Sequence, residues 1–384
     1  MRLKVGLHTV DLFPGRERLM PFRTVIEVAK VMKEHGWEAD VLNSSVSENG
    51  AKDYCWDGIN IIQCPRDFVK LSLWVNENGY DAFYFAAPIR EGLKELGGFK
   101  LMKCRKIAYV PSGISPWENA LWMFQRHGMY AKAWLLEAFT PKGLIGRKLK
   151  KAGFTDIIGL TEFTKQRVAG RLKGHTIYPG KDGFEYLVSD DSIVRKHELS
   201  NSKYYLFTGG PAPSRGGQEL LWAFDRMADC ISDAKLVYLV RKDVGGKYNP
   251  LYQVIGNLRN KEKVAVINDE LSAAQLKAFF EQAYAVVLPF ICIPAEVPIT
   301  YYEVMSCGTP VVSYPNAGTT EYLADGIKMC KGISINAMVD ALKDLWNDED
   351  ERRKLGIAAK RIMEQHPDWH QVGLQWMGII ENLK

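Results

Sequence analysis

The sequence predicts an α/β protein built from two domains, each with a parallel β-sheet. Apolar runs typical of buried strands alternate with segments of helical spacing along most of the 384 residues. Arg2–Val10 is the first such strand, a helix with apolar residues from Val25 to Met32 follows, and a second strand ends near Asn43. The pattern restarts at Tyr204–Gly210. A chain of this length can form two domains, each with its own core.

The composition is that of a folded, water-soluble protein. Hydrophobic residues make up 47% and charged residues 25% of the chain, and the net charge of +5 is mild. No apolar run reaches the ~18 residues of a membrane span, and the chain starts with a strand and not with a signal peptide, so we expect a cytoplasmic protein. The seven cysteines are scattered without a C-x-x-C pair. This favours reduced thiols and argues against a structural zinc site.

The first half contains further strands at Asp81–Ala87 and Lys106–Gly113, and a strand and helix within Thr155–Val168. No G-x-G-x-x-G follows the first strand, which weighs against a dinucleotide-dependent dehydrogenase. The loop after that strand contains three arginines that could face an anionic ligand, although a solvated basic loop explains each of them as well: Arg16, Arg18 and Arg23.

The strongest functional signal lies between Ala283 and Glu321. An apolar run, Ala285–Phe290, leads through a loop into a short helix that opens near Pro298. The carboxyl end of a strand in a parallel sheet is where such sheets bind ligands. Proline suits the first position of a helix, and the free amides of the first turn, here near Ile299 and Thr300, form an anion site.

Two carboxylates flank this helix start, because Glu296 precedes the helix and Glu303 lies inside it. A carboxylate accepts hydrogen bonds from sugar hydroxyls but is a poor phosphate ligand. The stretch EVPITYYEVMSCGTPVV resembles the nucleotide-sugar signature of GT-B glycosyltransferases of the large retaining family 4. The resemblance implies that Glu303 binds the ribose hydroxyls and that Glu296 meets the donor sugar as a catalytic residue. The family places seven residues between its two Glu, whereas six stand here, Val297–Tyr302. Either this loop is one residue shorter than in the family, or Ala295 is the matching position.

The resemblance also implies the architecture: GT-B, with two Rossmann-like domains whose parallel sheets face each other across a cleft. Tyr178–Asp182 matches the segment with which the family leaves its first domain. We therefore expect an acceptor-binding domain at 1–180 and a nucleotide-sugar-binding domain at 181–367. The last helix, 368–384, would cross back onto the first domain.

The loop after the first strand of the second half, with Gly209 and Gly210, is suited to the close approach of a diphosphate. The family has Gly-Arg-x-x-x-x-Lys-Gly here, and both cations contact the donor diphosphate. In this sequence Arg215 takes the place of the Lys, while Gly210 stands where the Arg would be. Arg215 is therefore a candidate for both catalysis and diphosphate binding, and Arg241 or Lys242 could supply the second cation.

Many family members carry a His in the loop after the strand that corresponds to Lys106–Gly113. That loop has no His in this sequence. Its role is absent or is taken by another group, for which Ser112, His8 and His127 are the alternatives.

A possible membrane-contact surface spans 117–151. Apolar and aromatic residues recur at helical spacing from Trp117 to Phe139, and the segment Lys142–Lys151 contains five bases and no acid. This composition is typical of a surface that docks on anionic lipid. The alternative is a core-packed helix with a solvated basic end.

The function that these features predict is transfer of a sugar from a UDP- or GDP-sugar to a hydroxyl of a lipid-linked, glycan or small-molecule acceptor. Retention of configuration is implied by the family alone. No D-x-D pattern stands at a strand end, so we expect no metal and no cofactor besides the donor substrate, and no nucleic-acid partner. The rival hypotheses are a sugar phosphorylase, a nucleotide-sugar epimerase, or a related binding subunit that has lost the chemistry.

Overall fold

The structure is a computed structural model that describes residues 2–45, 52–90, 93–240, 246–293, 297–316 and 318–381. Two sheets of mostly parallel strands, each covered by helices, account for these residues. The predicted α/β class is therefore confirmed. Within the same residues, no helix is long and apolar enough to span a membrane.

The N-terminal sheet has eight strands in the described part of the chain. They are β1 (Lys4–Val10), β2 (Glu38–Ser44), β3 (Tyr54–Trp56), β4 (Ile59–Gln63), β5 (Ala82–Ala86), β6 (Arg105–Val110), β7 (Asp156–Gly159) and β8 (Lys173–Thr176). Their order across the sheet is β3-β4-β2-β1-β5-β6-β7-β8. Neighbours run parallel except in the β3–β4 hairpin, which the sequence analysis did not predict.

The described helices of the first half of the chain are α1 (Phe22–Glu34), α2 (Phe68–Glu77), α3 (Trp117–His127), α4 (Lys132–Ala138), α5 (Leu144–Lys151) and α6 (Glu162–Val168). Both faces of the N-terminal sheet are covered, but α3 and α4 do not take part in this. The apolar side of α1 lies in a core cluster on one face of the sheet. The apolar sides of α2 and α5 lie in a separate core cluster on the other face. This double burial explains why a strand such as β5 is apolar at every position.

The second sheet has six described strands, all parallel. They are β9 (Tyr204–Thr208), β10 (Lys235–Leu239), β11 (Val264–Ile267), β12 (Ala285–Leu288), β13 (Val311–Ser313) and β14 (Ile327–Met329), in the order β11-β10-β9-β12-β13-β14. The helices of this half are α7 (Ser192–Lys196), α8 (Gly217–Ala228), α9 (Asn249–Gly256), α10 (Ala273–Gln282), α11 (Ile299–Ser306), α12 (Ile335–Asn347), α13 (Glu349–Gln365) and α14 (Trp369–Glu381). The first seven of them belong to the second half in space as well as in sequence.

The last helix, α14, packs on the N-terminal sheet beside α1. Trp376 is fully buried in the same core cluster as the inward face of α1, and its carbonyl accepts a hydrogen bond of 2.5 Å from the Tyr84 hydroxyl. The Arg105 guanidinium donates to the carbonyls of Ile379 and Ile380 at 3.0 and 2.7 Å. A cation at this position satisfies the unpaired carbonyls of the helix C-terminus and complements its dipole.

The chain passes between the two halves at two adjacent segments, 178–182 and 366–369. The imidazole of His366 donates from Nε2 to the Pro179 carbonyl at 2.8 Å. Asp182 accepts a hydrogen bond of 3.1 Å from the Trp369 indole and forms an ion pair with Arg23. The two crossings are thus bonded to each other and to the start of α1.

The aromatic band of 117–139 is not one free helix. Gly128, with φ +53°, ends α3, and α4 begins after a short 3-10 turn. Ala120 and Met123 are buried in the core cluster that covers one face of the second sheet. The Asn119 amide donates to the carbonyls of Ile291 and Pro315, at 2.9 Å in both cases. The buried face of this segment is therefore packed in a core, as the alternative to membrane docking predicted. That core belongs to the second half of the molecule.

We predict that acid destabilises the protein partly through His366. Burial lowers the pKa of His366 from 6.5 to about 4. Below pH 6.5 the unfolded chain takes up a proton that the folded protein does not accept, so stability falls as the pH drops from 6.5 to about 4, by up to about 3 kcal/mol. The His366→Phe variant keeps a ring beside Tyr302 and Tyr322 but cannot titrate. Its free energy of unfolding, measured by denaturant titration at several pH values, should fall less steeply than that of the wild type as the pH decreases. An equal pH dependence of the two proteins would contradict the role of His366.

Candidate functional site

The candidate site lies at the carboxyl ends of β9, β12 and β13, which are neighbours in the second sheet. Their following loops must converge at one edge, the usual ligand-binding edge of a parallel sheet. The contacts show this convergence. The Ser214 carbonyl, in the loop after β9, accepts a hydrogen bond of 2.9 Å from the Ile291 amide, in the loop after β12.

The loop after β9 ends in a tight turn that fixes Arg215. Pro213–Arg215 forms a 3-10 turn, and Gly216, with φ +68°, opens α8 in the left-handed conformation. A Cβ at Gly216 would lie 2.0 Å from the Pro289 carbonyl oxygen. Glycine is therefore required here for both its backbone conformation and its lack of a side chain. By contrast, a Cβ at Gly210 would meet no atom within 4 Å.

The Arg215 side chain is half-buried beside the loop after β12. Its guanidinium lies over the Phe290 ring, 4.9 Å from the centroid. It is also within electrostatic reach of α11: burial raises the pKa of Tyr301, and the Ser313 hydroxyl and the Arg215 charge oppose that rise. The Arg215 guanidinium, which comes from the loop after β9, therefore lies close to the first turn of α11.

Helix α11 begins as the sequence predicted, with a difference of one position. Pro298 is the N-cap, at φ −58° and ψ 140°, and Ile299 is the first helical residue. The Tyr301 hydroxyl anchors the first turn, because it lies 3.2 Å from the Leu288 carbonyl and 2.8 Å from the Ser313 Oγ. Glu303 lies one turn further along, half-buried.

The Ile299 side chain packs against the core cluster of the N-terminal half, together with Met20 and Phe22. The start of α11 is therefore also a point of contact between the two halves. The structure brings the described site residues to one edge of the second sheet. They form two groups: Gly209, Gly210 and Arg215 on the loop after β9, and Ile299, Thr300 and Glu303 on α11. Three further candidates, Glu296, Arg241 and Lys242, lie outside the described residues.

Glu321 has a role that the sequence analysis did not predict. Its carboxylate accepts hydrogen bonds from the backbone amides of Glu162 and Phe163, at 3.0 and 2.8 Å, and from the Tyr178 hydroxyl at 2.5 Å. It therefore caps the N-terminus of α6, where a carboxylate also complements the helix dipole. Thr161, the N-cap residue of α6, is a helix-start signal that the sequence shows, whereas Glu321 lies 159 residues from Glu162 and no local pattern connects them.

Of the groups considered for the missing family His, His8 lines a cavity. This cavity has a volume of about 430 Å³ and lies at the carboxyl ends of β1, β2 and β5. His127 instead lies between α3 and α8, 3.8 Å from a carboxylate oxygen of Glu219. Among the described residues, no group of three or more His, Cys, Asp or Glu side chains is placed to hold a metal ion.

Comparison with known proteins places this geometry in a wider context. Residues 189–362 match the family model described as Glycosyl transferases group 1. A sucrose-phosphate synthase from Thermosynechococcus elongatus has a similar structure, with a TM-score of 0.74 and 14% identity over 100% of this chain and 99% of that one. The chain has the GT-B fold. No curated protein matches its sequence.

Two other solved structures are similar over nearly their full length. A glycosyltransferase from Rickettsia africae gives a TM-score of 0.70 and 13% identity over 99% of this chain and 98% of that chain. Anabaena HepE, solved in complex with UDP and glucose, gives a TM-score of 0.67 and 16% identity over 100% of both chains. Like the first structure, they show a shared fold at low sequence identity.

We predict different effects of alanine at the two glycines of the loop after β9. Gly216→Ala should destabilise the fold by more than about 1 kcal/mol, because it combines a left-handed backbone with a clash against Pro289. Gly210→Ala should change stability by less than about 0.5 kcal/mol, because its Cβ meets no atom within 4 Å. Thermal unfolding of the two variants measures the difference. Equal melting temperatures of both variants would contradict the described turn.

Proposed function

We propose that the protein transfers a sugar from a UDP- or GDP-sugar to a hydroxyl of an acceptor, with retention of configuration at the sugar. The observation that carries the proposal is the meeting of Arg215 and the start of α11 at the ligand-binding edge of the domain that matches group 1 glycosyltransferases. A half-buried cation and a helix N-terminus together suit the diphosphate of such a donor.

The chemistry that this arrangement supports is the departure of a nucleoside diphosphate. Negative charge grows on the leaving phosphate oxygen as its bond to the sugar breaks. Arg215 and the amides of Ile299 and Thr300 would stabilise that charge, and preorganised groups of this kind supply much of the rate in many enzymes. Glu303 would bind the ribose hydroxyls, and Glu296 would meet the donor sugar. We assign the donor to 181–367 and the acceptor to 1–180.

We further propose that the reaction needs neither a metal ion nor a cofactor other than its donor substrate, and that it takes place in the cytoplasm. The proposal that no metal ion is needed is supported by the sequence, which has no D-x-D pattern at a strand end. The Arg215 cation and the helix dipole would serve where other transferases use a divalent ion.

A binding subunit without activity is the second candidate. The space at Gly210 favours it, because a second cation on the diphosphate does not come from this position. A phosphorylase or an epimerase is a weaker candidate, since the paired carboxylates suit a nucleoside and its sugar better than free phosphate. Turnover of a panel of UDP- and GDP-sugars, with and without EDTA, separates these alternatives. Nucleotide binding without any turnover would favour the binding subunit.

We predict that Glu303→Gln weakens nucleotide binding while the fold is retained. A neutral amide loses the charge-assisted bonds to ribose hydroxyls, so affinity for UDP or GDP should fall by about 1.5–3 kcal/mol in calorimetry. Glu262→Gln is the matched control, because Glu262 is exposed in the turn before β11, at the opposite edge of the sheet. Unchanged affinity of Glu303→Gln would remove this residue from the site.

We also propose that 117–151 contacts anionic membranes, which would bring a lipid-linked acceptor to the enzyme. The buried face of α3 is occupied, but several large apolar side chains of this segment remain exposed: Trp117, Met129, Tyr130, Leu136 and Phe139. They lie close in sequence to the basic helix α5, whose Arg147, Lys150 and Lys151 are exposed. Apolar insertion beside a basic cluster is the chemistry of a peripheral membrane surface.

If this surface binds lipid, wild-type protein should sediment with phosphatidylserine vesicles at low salt, with about 1 kcal/mol from each contacting base. Changing Lys148, Lys150 and Lys151 to Glu should abolish sedimentation, and salt should release the wild type. In the control variant three exposed lysines of the other half are changed to Glu, which gives the same change in net charge: Lys331, Lys354 and Lys360. This variant should sediment like the wild type. Wild-type protein that stays in the supernatant would reject the membrane contact.

A further inference from the structure

A cavity of about 590 Å³, the α3 cavity, opens beside α3 and is separate from the cavity at His8. Its volume is within the range of small-molecule sites. Part of the lining is the side of α3 between Trp117 and Gln125, and Phe163 of α6 lies next to it. The rest comes from the loops after β13 and β14, which contribute Thr320 and Ile333 among others. Residues from both halves of the molecule therefore line the cavity.

Hydrogen bonds between the halves hold the walls of the α3 cavity in place. The Asn119 amide donates to the Pro315 carbonyl at 2.9 Å, which ties α3 to the loop after β13. The Glu321 carboxylate accepts a bond of 2.8 Å from the Phe163 amide, which ties α6 to a later part of the same loop. The walls are therefore preformed, so a ligand that enters does not have to order them.

The polar side chains between these walls offer few hydrogen bonds to a ligand. The Asn119 amide donates to two backbone carbonyls, at 2.9 Å in both cases. Oδ1 of Asn316 accepts from two backbone amides at 3.2 and 3.1 Å, and its Nδ2 is buried, with no surface that a ligand could reach. The Thr320 hydroxyl donates to the Asn316 carbonyl at 3.0 Å. A sugar or a nucleotide would therefore find little to replace its hydrogen bonds to water here.

Large apolar side chains of the lining are left partly uncovered by the protein itself. Trp117 and Leu121 belong to none of the core clusters, although Leu121 is half-buried and Trp117 is 51% exposed. Trp122, Phe163 and Ile333 are only partly buried where they pack on core clusters. Apolar surface in a concave, preformed place is typical of ligand sites, and the three aromatic rings suit a flat aromatic ligand.

The charge of the lining distinguishes among apolar ligands. Glu118 is exposed at the cavity, and no Lys, Arg or His stands beside it among the described residues of the lining. Its carboxylate repels an anion, and no base in the lining compensates, so fatty acids and other apolar anions are disfavoured. An uncharged ligand meets no such repulsion.

We propose that the α3 cavity binds an uncharged apolar molecule with a flat aromatic body, and that this binding favours the described arrangement of the two halves. The proposal does not rest on the transfer reaction, because neither Arg215 nor Glu303 lines the cavity. It is also separate from the membrane contact, since the exposed side chains of Met129 and Phe139 lie outside the lining. A ligand that contacts both halves stabilises the structure in which they are joined.

The test compares two fluorescent probes that share an aromatic skeleton but differ in charge: uncharged N-phenyl-1-naphthylamine and anionic 8-anilinonaphthalene-1-sulfonate. Fluorescence titration of the wild type should show saturable binding of the uncharged probe, with one molecule per chain. The anionic probe should bind at least about tenfold more weakly. The absence of saturable binding of the uncharged probe, or equal affinity for both probes, would overturn the proposal.

Variants locate the bound probe. Leu121→Gln and Trp117→Ala each remove apolar surface from the lining, and each should lower the affinity for the uncharged probe by about tenfold. The matched controls are Ile357→Gln and Tyr186→Ala, because both side chains are exposed and lie outside the cavity. Both controls should bind the probe like the wild type. If both cavity variants also bind it like the wild type, the proposal is wrong, and if Leu121→Gln does not fold, the exposed position of Trp117→Ala decides.

The melting temperature tests the link between the α3 cavity and the two halves. The uncharged probe should raise the melting temperature of the wild type and of Ile357→Gln, because it binds the folded protein across both halves. It should raise that of Trp117→Ala less. An equal rise in all three proteins would show that the stabilisation comes from another place, and it would overturn the proposal.

Discussion

The carboxylate of Glu321 bonds the two halves of the molecule to each other. It comes from the second half and accepts two backbone amides of α6 and the hydroxyl of Tyr178, all from the first half. Hydrogen bonds to a charged group contribute about 1.5–3 kcal/mol each. Because α6 follows β7, a strand of the N-terminal sheet, this contact ties the second half to that sheet.

The packing of α3 supports the same junction from another side. Asn119 joins the loops after β12 and β13 by donating to one carbonyl in each. These two loops flank the start of α11, so a residue from the first half fixes the geometry of the candidate donor site. The same α3 brings Arg126 and His127 close to the buried carboxylate of Glu219, whose pKa is raised by burial. Two polar contacts of α3 thus reach the second half at separate points.

The fold class, most strands and the helix start at Pro298 could be predicted from the sequence, because each depends on local pattern. Strands buried on both faces appear as continuous apolar runs, and proline marks a helix start regardless of its surroundings. The β3–β4 hairpin was missed because its strands have only three and five residues. Periodicity showed that 117–138 has an apolar face, but it cannot show which half covers that face. The cavity at His8 unites side chains from positions 8 to 95, and no spacing rule connects them.

The return of α14 to the first sheet affects the order in which the protein can fold during synthesis. The second half has all of its core, including the residues that α3 and α4 contribute, once α13 has been made. The first half, by contrast, lacks the helix that covers Tyr84 and α1 until 369–381 leave the ribosome. Domains usually form in order from the N-terminus. In this protein the domain that starts first is completed last, and until then one face of its sheet presents apolar surface to the solvent and to chaperones.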